Sequence, residues 1–344
     1  MSRRFRPLAA LAPFAALAMM AGFAATTDAE AEDWKFAIEE VPGSIMDTYA
    51  QEFKKRIESA TNGEVTVTIY HHGTLGTPTE TVEQAADGII QLTNVSIGNL
   101  GTIVPESQFF LLNYVLPDDP DDIHRLLSES PTIHEELAKD FARKGLKLGT
   151  LYSHGPQVWT TNRPIRTPED FDNFKMRVMV SPLLVEAYKD LGSSPTPIPF
   201  GEVYGALQLK TVDGQVNPVS AIQEMKFYEV TDYLIWAGEQ ELITAMLAGL
   251  DWYESLPPER QELLDKTLVE MNDFIRPVVE RFNEERLEQI KQAKPSIELI
   301  VLTPEERAAF RERAKATHAK VGEVIGPRGE ELLSKWLAEI EALQ

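Results

Sequence analysis

The sequence predicts an α/β protein of two lobes joined by one long helix. Strand and helix patterns alternate along the chain, which is typical of parallel sheets covered by helices. The chain has 344 residues, more than the roughly 250–300 residues that one hydrophobic core usually supports. One helical pattern continues over residues 258–294. At about 1.5 Å per residue it would extend roughly 55 Å, so we expect it to contact both lobes.

The first 31 residues are predicted to be a secretory signal peptide. Three arginines form a basic start, an apolar run follows over residues 8–25, and Ala29 and Ala31 frame a small-residue cleavage site. A retained membrane anchor is the alternative, which Pro13 and Gly22 disfavour because they interrupt the apolar run. We therefore expect an exported protein in a bacterial periplasm.

The predicted elements alternate between strands and helices. Apolar residues recur every fourth position from Ile45 through Tyr49 and Phe53 to Ile57, which predicts a helix with one buried face. The predicted helices cover residues 44–60, 78–86, 182–191, 200–209 and 258–294, followed by two C-terminal helices. The predicted strands cover residues 35–40, 64–70, 89–95, 146–153, 157–161, 175–180, 232–237 and 296–303.

Composition and motifs favour a binding protein over an enzyme. The chain has no cysteine, and its six histidines are scattered without metal-ligand spacing. Nucleophile-elbow, Walker A and GxGxxG patterns are missing as well. The net charge of −21 disfavours nucleic acid as a partner. We therefore predict no metal, no cofactor and no nucleic-acid partner.

The predicted strand KMRVMV, residues 175–180, carries an arginine among apolar residues. A guanidinium keeps its charge, so burying Arg177 without a partner would be costly. One interpretation is an internal ion pair with Glu202 or Asp213. The other is a ligand carboxylate, which the N-terminus of the following predicted helix would also attract.

Glu39 and Glu40 end the first predicted strand. Ligands of open α/β sheets bind beyond the carboxyl ends of strands, so one of these two acids could face a crevice. A helix-capping or loop role is the alternative.

Longer stretches resemble a known family. Residues 167–234, which begin TPEDFDNFKMRVMV, are similar to the substrate-binding proteins of tripartite ATP-independent periplasmic (TRAP) transporters, the DctP-like family. The similarity includes the WKFAIEEVPGS and DWYESLPPERQ stretches, so it spans nearly the whole mature chain. The resemblance implies a two-lobe periplasmic binding protein fold with a lobe-spanning helix. The expected segments are residues 32–154 and 243–282 for lobe I, and residues 155–242 and 283–344 for lobe II.

The resemblance also implies site residues. In that family the arginine of the K-x-R-V strand, here Arg177, forms a bidentate ion pair with a ligand carboxylate. The asparagine at the position of Asn217 hydrogen-bonds the same carboxylate. The ectoine-binding branch looks nearest. There an acid at the position of Glu40 meets a cationic ring between aromatic side chains, one of them at the position of Phe200.

Several positions depart from the family pattern. Gln157 stands where sialic-acid binders carry a second arginine, which disfavours a dicarboxylate that needs two arginines. Glu239 replaces a common histidine. Residues 219–221 are not aromatic here, although the ectoine-binding branch has aromatic residues in this stretch. Trp159 and Trp236 are candidates to replace the missing aromatic side chains around the ligand. We therefore expect a small carboxylate ligand, ectoine-like zwitterions included.

The predicted function is an extracytoplasmic receptor of a TRAP transporter. It would act as a monomer, bind a small organic acid between its lobes, and deliver it to the membrane subunits of a sodium-coupled permease. One alternative is a dicarboxylate or sugar-acid receptor of the same family. Another is an exported lyase or hydrolase that uses Glu40 and Glu239 as an acid/base pair.

Overall fold

The computed structural model describes residues 31–343, which form two β-sheets covered by helices. The predicted signal peptide lies outside the described residues, apart from Ala31. The strands are β1 (Glu32–Ile38), β2 (Val65–Tyr70), β3 (Leu92–Ser96), β4 (Leu146–Pro156), β5 (Val158–Thr161), β6 (Lys175–Val178), β7 (Ser194–Pro197), β8 (Gly214–Asn217), β9 (Tyr233–Trp236), β10 (Glu241–Gly249) and β11 (Glu298–Val301).

Helices connect the strands and close the chain at its C-terminal end. The α-helices are α1 (Ile45–Ala60), α2 (Pro78–Ala86), α3 (Pro120–Glu129), α4 (Ala138–Ala142), α5 (Pro182–Asp190), α6 (Val203–Gln208), α7 (Val219–Glu224), α8 (Leu250–Ser255), α9 (Pro258–Ala293), α10 (Pro304–Ala319) and α11 (Val321–Glu341). Short 3₁₀ segments include Ile97–Asn99 and Phe200–Glu202, the second of which begins the helix predicted from residue 200. In the described part of the chain, no helix is long and apolar enough to cross a membrane.

The first sheet has the strand order β2-β1-β3-β10-β4. β1 pairs in parallel with β2 and β3, as the opening β-α-β-α-β pattern predicts. β10 runs antiparallel between β3 and β4 and is not among the predicted strands. Its segment ELITAMLAG is buried along almost its whole length, so it lacks the polar alternation that marks a strand with one solvated face.

The second sheet has the strand order β11-β9-β5-β8-β6-β7. β6 lies between β7 and β8 and is parallel to both, with Arg177 level with Thr196 and Gln215. Parallel neighbours end at the same edge of a sheet. Arg177 and the end of β8 therefore face the same side of the molecule.

The long helix α9 contacts the elements of both sheets. Its bounds, Pro258–Ala293, agree with the prediction to within one residue at the C-terminal end. Leu264 and Ile275 pack in the core of the first sheet. Ile290 packs with Val158 and Leu234 in the core of the second sheet. The exact division of the chain into two lobes remains a prediction.

Candidate functional site

A small cavity of about 20 Å³ lies between the edges of the two sheets. Its walls come from the ends of β1, β3, β6 and β8, the start of β10, and the segments that follow these strands. The lining residues are Glu39, Glu40, Ser96, Asn99, Arg177, Met179, Phe200, Asn217, Ala221 and Leu242. This is the position at which open α/β sheets bind ligands.

Arg177 brings a buried, incompletely paired positive charge to this cavity. The side chain is 1 % exposed. Its Nε donates to the carbonyl oxygen of Ile198 at 2.9 Å, and its Nη1 is buried without a hydrogen-bond partner among the described residues. Burial lowers the pKa of Arg177 to about 9, although the negative charge of Glu39 acts in the opposite direction. The guanidinium would still be charged at neutral pH.

The internal ion pair considered for Arg177 is not formed. Within residues 31–343, no carboxylate lies within ion-pair distance of Arg177. Asp213 instead accepts hydrogen bonds from the Asn162 side chain at 3.2 Å and from the Lys175 backbone at 2.9 Å. The helix α5 is capped by Ser181, whose hydroxyl accepts from the Leu184 backbone at 3.2 Å. Arg177 therefore retains the capacity to bind an anion that enters the cavity.

Glu40 lines the opposite side and is held by two groups. Its Oε1 lies 3.1 Å from His154 Nε2, and its Oε2 accepts from the Met46 backbone at 3.1 Å, at the start of α1. Burial disfavours ionisation of Glu40, but His154 and the Met46 amide outweigh burial and lower its pKa. Its position thus combines a cleft-facing and a helix-terminal role, the two interpretations that the sequence left open.

Glu39 also lines the cavity. Its Oε2 accepts from the Asn99 side chain at 2.8 Å, and Asn99 also donates to the Ser96 hydroxyl at 3.1 Å. Burial raises the pKa of Glu39, hydrogen bonds from Ser96 and Asn99 lower it, and the charge of Glu40 raises it further, with a net increase. Two acids and one arginine therefore surround the same space.

Asn217 and Phe200 complete the part of the site that was predicted. Asn217 ends β8 and donates one amide hydrogen to the Gln215 side chain, which leaves its second amide hydrogen for a ligand. Phe200 is half-buried and meets His72 and Phe227 edge to face, with ring centroids 5.9 and 6.0 Å apart. The structure thus brings Arg177, Asn217, Glu40 and Phe200 to one cavity.

The two predicted tryptophan replacements and Gln157 do not line this cavity. Trp159 is fully buried, packs on Phe171 and Phe310, and donates to the Tyr188 hydroxyl at 3.2 Å. Trp236 is half-buried against the core of the second sheet. Gln157 is buried, and its backbone N–H donates to the Gln240 carbonyl at 2.9 Å. Because the side chains of Trp159 and Trp236 pack against other core residues, they leave the cavity with one aromatic lining residue, Phe200.

Glu239 lies in a different place from Glu40. It is 1 % exposed and borders a second cavity together with Tyr114 and Arg307. Tyr188 donates its hydroxyl to Glu239 Oε1 at 3.2 Å. Burial raises the pKa of Glu239 to about 8. Glu40 and Glu239 therefore do not share a cavity, as the acid/base pair of the lyase or hydrolase alternative would require.

Sequence analysis did not assign Ser96, Asn99, Met179, Ala221 or Leu242 to the site. Met179 follows β6 and packs against Ser96, which ends β3 of the first sheet, and against Gly98 in the segment that follows β3. Its position two residues after Arg177 was a usable signal, because alternate residues of a strand share a face. Leu242 belongs to β10, which was not predicted, so its place could not be inferred.

The chain belongs to the family described as bacterial extracellular solute-binding protein, family 7, or DctP, which matches residues 36–323. This confirms the family predicted from the sequence. The chain is a TRAP-type solute receptor by this membership, and it is similar to ectoine-binding relatives.

Two relatives show the similarity over most of the chain. The ectoine/5-hydroxyectoine-binding periplasmic protein UehA of Ruegeria pomeroyi is 38% identical over 319 residues, covering 93% of this chain and 94% of the relative. The ectoine-binding periplasmic protein TeaA of Halomonas elongata is 39% identical over 327 residues, covering 95% of each chain.

A solved structure extends the similarity to the fold. The periplasmic ectoine-binding protein of the TeaABC TRAP transporter of Halomonas elongata superposes with a TM-score of 0.87 at 39% identity. The match covers 90% of this chain and 100% of that structure. The predicted two-lobe α/β fold is thereby confirmed.

Proposed function

We propose that the protein binds one small carboxylate, ectoine-like zwitterions included, in the cavity between its two sheets. The observation that carries this proposal is Arg177, a buried arginine with an unpaired Nη1 that borders an enclosed space. A ligand carboxylate would supply the missing partner through a bidentate ion pair. The second amide hydrogen of Asn217 would donate to the same carboxylate.

The cavity also supports a role for lobe closure. Glu40 and Glu39 follow β1 of the first sheet, whereas Arg177 and Asn217 lie on β6 and β8 of the second sheet. A ligand that contacts both sets is buried between them, so the two lobes would close by hinge bending when it binds. The protein would then deliver the ligand to the membrane subunits of a sodium-coupled TRAP permease. We expect a periplasmic location after cleavage of the signal peptide.

Native mass spectrometry of freshly purified protein tests the proposal. We expect one small acid retained per chain under non-denaturing conditions and its release on denaturation. Carboxylates are then screened by thermal shift, since a ligand at 100 to 1,000 times its Kd stabilises the folded state by about 3 to 4 kcal/mol. Arg177→Lys is the control, because lysine keeps the charge but loses the planar fork. A protein that retains no acid and that no carboxylate stabilises would contradict the proposal.

Small-angle scattering tests closure separately. Saturation with a stabilising carboxylate should decrease the radius of gyration of the wild type and leave Arg177→Lys unchanged at the same ligand concentration. An unchanged radius of gyration in the saturated wild type would indicate that the cavity is preformed and that the lobes do not move.

A further inference from the structure

We infer that Glu39 selects the ligand, and that the ligand carries a localised ammonium group beside its carboxylate. This inference rests on the proposed function, because it assumes that a carboxylate occupies Arg177. The ligand class is thus ammonium carboxylates with an N–H donor, and Glu39 contributes to specificity for this class in addition to Glu40.

The first argument concerns the charges around the cavity. Glu40 has its Oε1 3.1 Å from His154 Nε2, and its Oε2 accepts from the Met46 amide. Glu224, on α7, lies with its Oε1 3.9 Å from Arg286 Nε, and burial raises its pKa to about 9, so it is largely uncharged at neutral pH. Arg177 and Glu39 remain, and they interact through space without an ion-pair contact. When a ligand carboxylate binds Arg177, the ligand neutralises the Arg177 charge, which then no longer offsets the charge of Glu39.

The consequence for Glu39 is electrostatic. When Glu39 is ionised, its carboxylate and that of the ligand would share a poorly hydrated space, and like charges there repel strongly. A positive group on the ligand removes this repulsion. Glu39 keeps its carboxylate oriented by Asn99, at 2.8 Å, so an acceptor for that positive group is already in place.

The second argument concerns the kind of cation. Delocalised or quaternary cations are held by the faces of several aromatic rings, but among the lining residues only Phe200 is aromatic. The acidic end of the cavity instead offers oxygen acceptors, the carboxylate of Glu39 and the buried hydroxyl of Ser96. Directional acceptors suit an ammonium group with up to three N–H donors. The remaining wall, Met179, Ala221 and Leu242, is aliphatic and suits a short carbon chain between the two charges.

Matched pairs of ligands test the inference. Calorimetry would compare 2-, 3- and 4-aminobutanoate with 2-, 3- and 4-hydroxybutanoate, together with ectoine as a delocalised cyclic cation. In the wild type we expect at least one aminobutanoate to bind about tenfold or more tightly than its hydroxy counterpart. In Glu39→Gln the ratio of the aminobutanoate affinity to the hydroxybutanoate affinity should fall about tenfold or more. The hydroxy acid should bind equally well or better, because the repulsion by Glu39 is removed.

Control variants separate the outcomes. Glu239→Gln, a buried glutamate outside the cavity lining, should keep the wild-type ratio. Glu39→Asp retains the charge and should keep part of the preference if the variant is folded. The inference is overturned if Glu39→Gln leaves the ratio unchanged, or if no aminobutanoate binds the wild type. Failure of the proposed function looks different, because Arg177→Lys would then leave the binding of both ligand classes intact.

Discussion

Two buried glutamates with opposite properties distinguish the Arg177 cavity from the pocket around Glu239. Glu40 is 5 % exposed and Glu239 is 1 % exposed. His154 and a helix N-terminal amide lower the pKa of Glu40 despite its burial. Burial instead raises the pKa of Glu239 to about 8, even though Tyr188 donates to its side chain. The comparison teaches that burial alone does not define a ligand site. What distinguishes the first cavity is unbalanced charge of both signs around an enclosed space.

The largest expected effect is the loss of ligand binding in Arg177→Ala. Removing one partner of a buried charge-assisted pair costs about 2 to 5 kcal/mol, roughly 30- to 4,000-fold in affinity. Calorimetry with the retained acid, or with the most stabilising carboxylate, measures the effect. Glu239→Gln is the comparison variant and should bind as the wild type does. A folded Arg177→Ala protein whose affinity stays within about threefold of the wild type would remove the charge distinction between the two regions.

A second prediction concerns the pH dependence of stability at Glu239. Its folded pKa of about 8 lies above the ordinary value of 4.5, so the folded protein keeps a proton that the unfolded chain releases between these pH values. Its contribution is fully present below pH 4.5 and is lost as the pH rises through 8, by at most about 1.4 kcal/mol per pH unit. Urea unfolding of wild type and Glu239→Gln at pH 5, 6.5 and 8 isolates this group.

The expected result is a stability difference that grows with pH in favour of Glu239→Gln. Other buried acids affect both proteins equally, so the difference between the two profiles reports on Glu239. Parallel profiles would show that Glu239 ionises normally in the folded state and would weaken the contrast with Glu40.

Much of the fold could be predicted because its local signals agree with its tertiary contacts. The helix α1 shows both its buried face and its capping serine, Ser44, in the sequence, and α9 shows a long apolar stripe. β10 could not be predicted, because a strand that is buried on both faces has no period of two. Its place between β3 and β4 depends on residues that are distant in the sequence.

The site was predictable where a motif fixes the geometry. Arg177 is the penultimate residue of β6, and Asn217 ends the neighbouring parallel strand β8. The strand pattern predicted β6 but not β8, so the place of Asn217 in the site was predicted from the family resemblance alone. Trp159 shows the limit of such reasoning. A tryptophan on a strand suits either an aromatic cage or a core, and only the packing of Phe171 and Phe310 against Trp159 decides between them.

The same glutamate-to-glutamine substitution should have opposite effects on stability in the two regions. Above its ordinary pKa, ionised Glu40 accepts a hydrogen bond from the Met46 amide. Hydrogen bonds to charged groups contribute about 1.5 to 3 kcal/mol, so Glu40→Gln should lower the free energy of unfolding at pH 8 by about that amount. Glu239→Gln should raise it at the same pH. Urea unfolding measures both variants, and a shift of both in the same direction would contradict the comparison.

The smallest expected effect separates two neighbouring amide side chains, Asn217 and Gln157. Asn217 lines the cavity and has one amide hydrogen left after its bond to Gln215, whereas Gln157 is buried outside the lining. A hydrogen bond to a charged group contributes about 1.5 kcal/mol at the lower end of its range, so Asn217→Ala should weaken binding by roughly 12-fold. Gln157→Ala should leave the affinity unchanged in folded protein.

Asn217→Asp sharpens the test, because the aspartate charge would face the ligand carboxylate and should decrease the affinity more than alanine does. Calorimetry with one ligand on all three variants measures the order. If Asn217→Asp binds as well as Asn217→Ala, then the ligand carboxylate does not lie beside Asn217, and the carboxylate end of the cavity must be assigned to Arg177 alone.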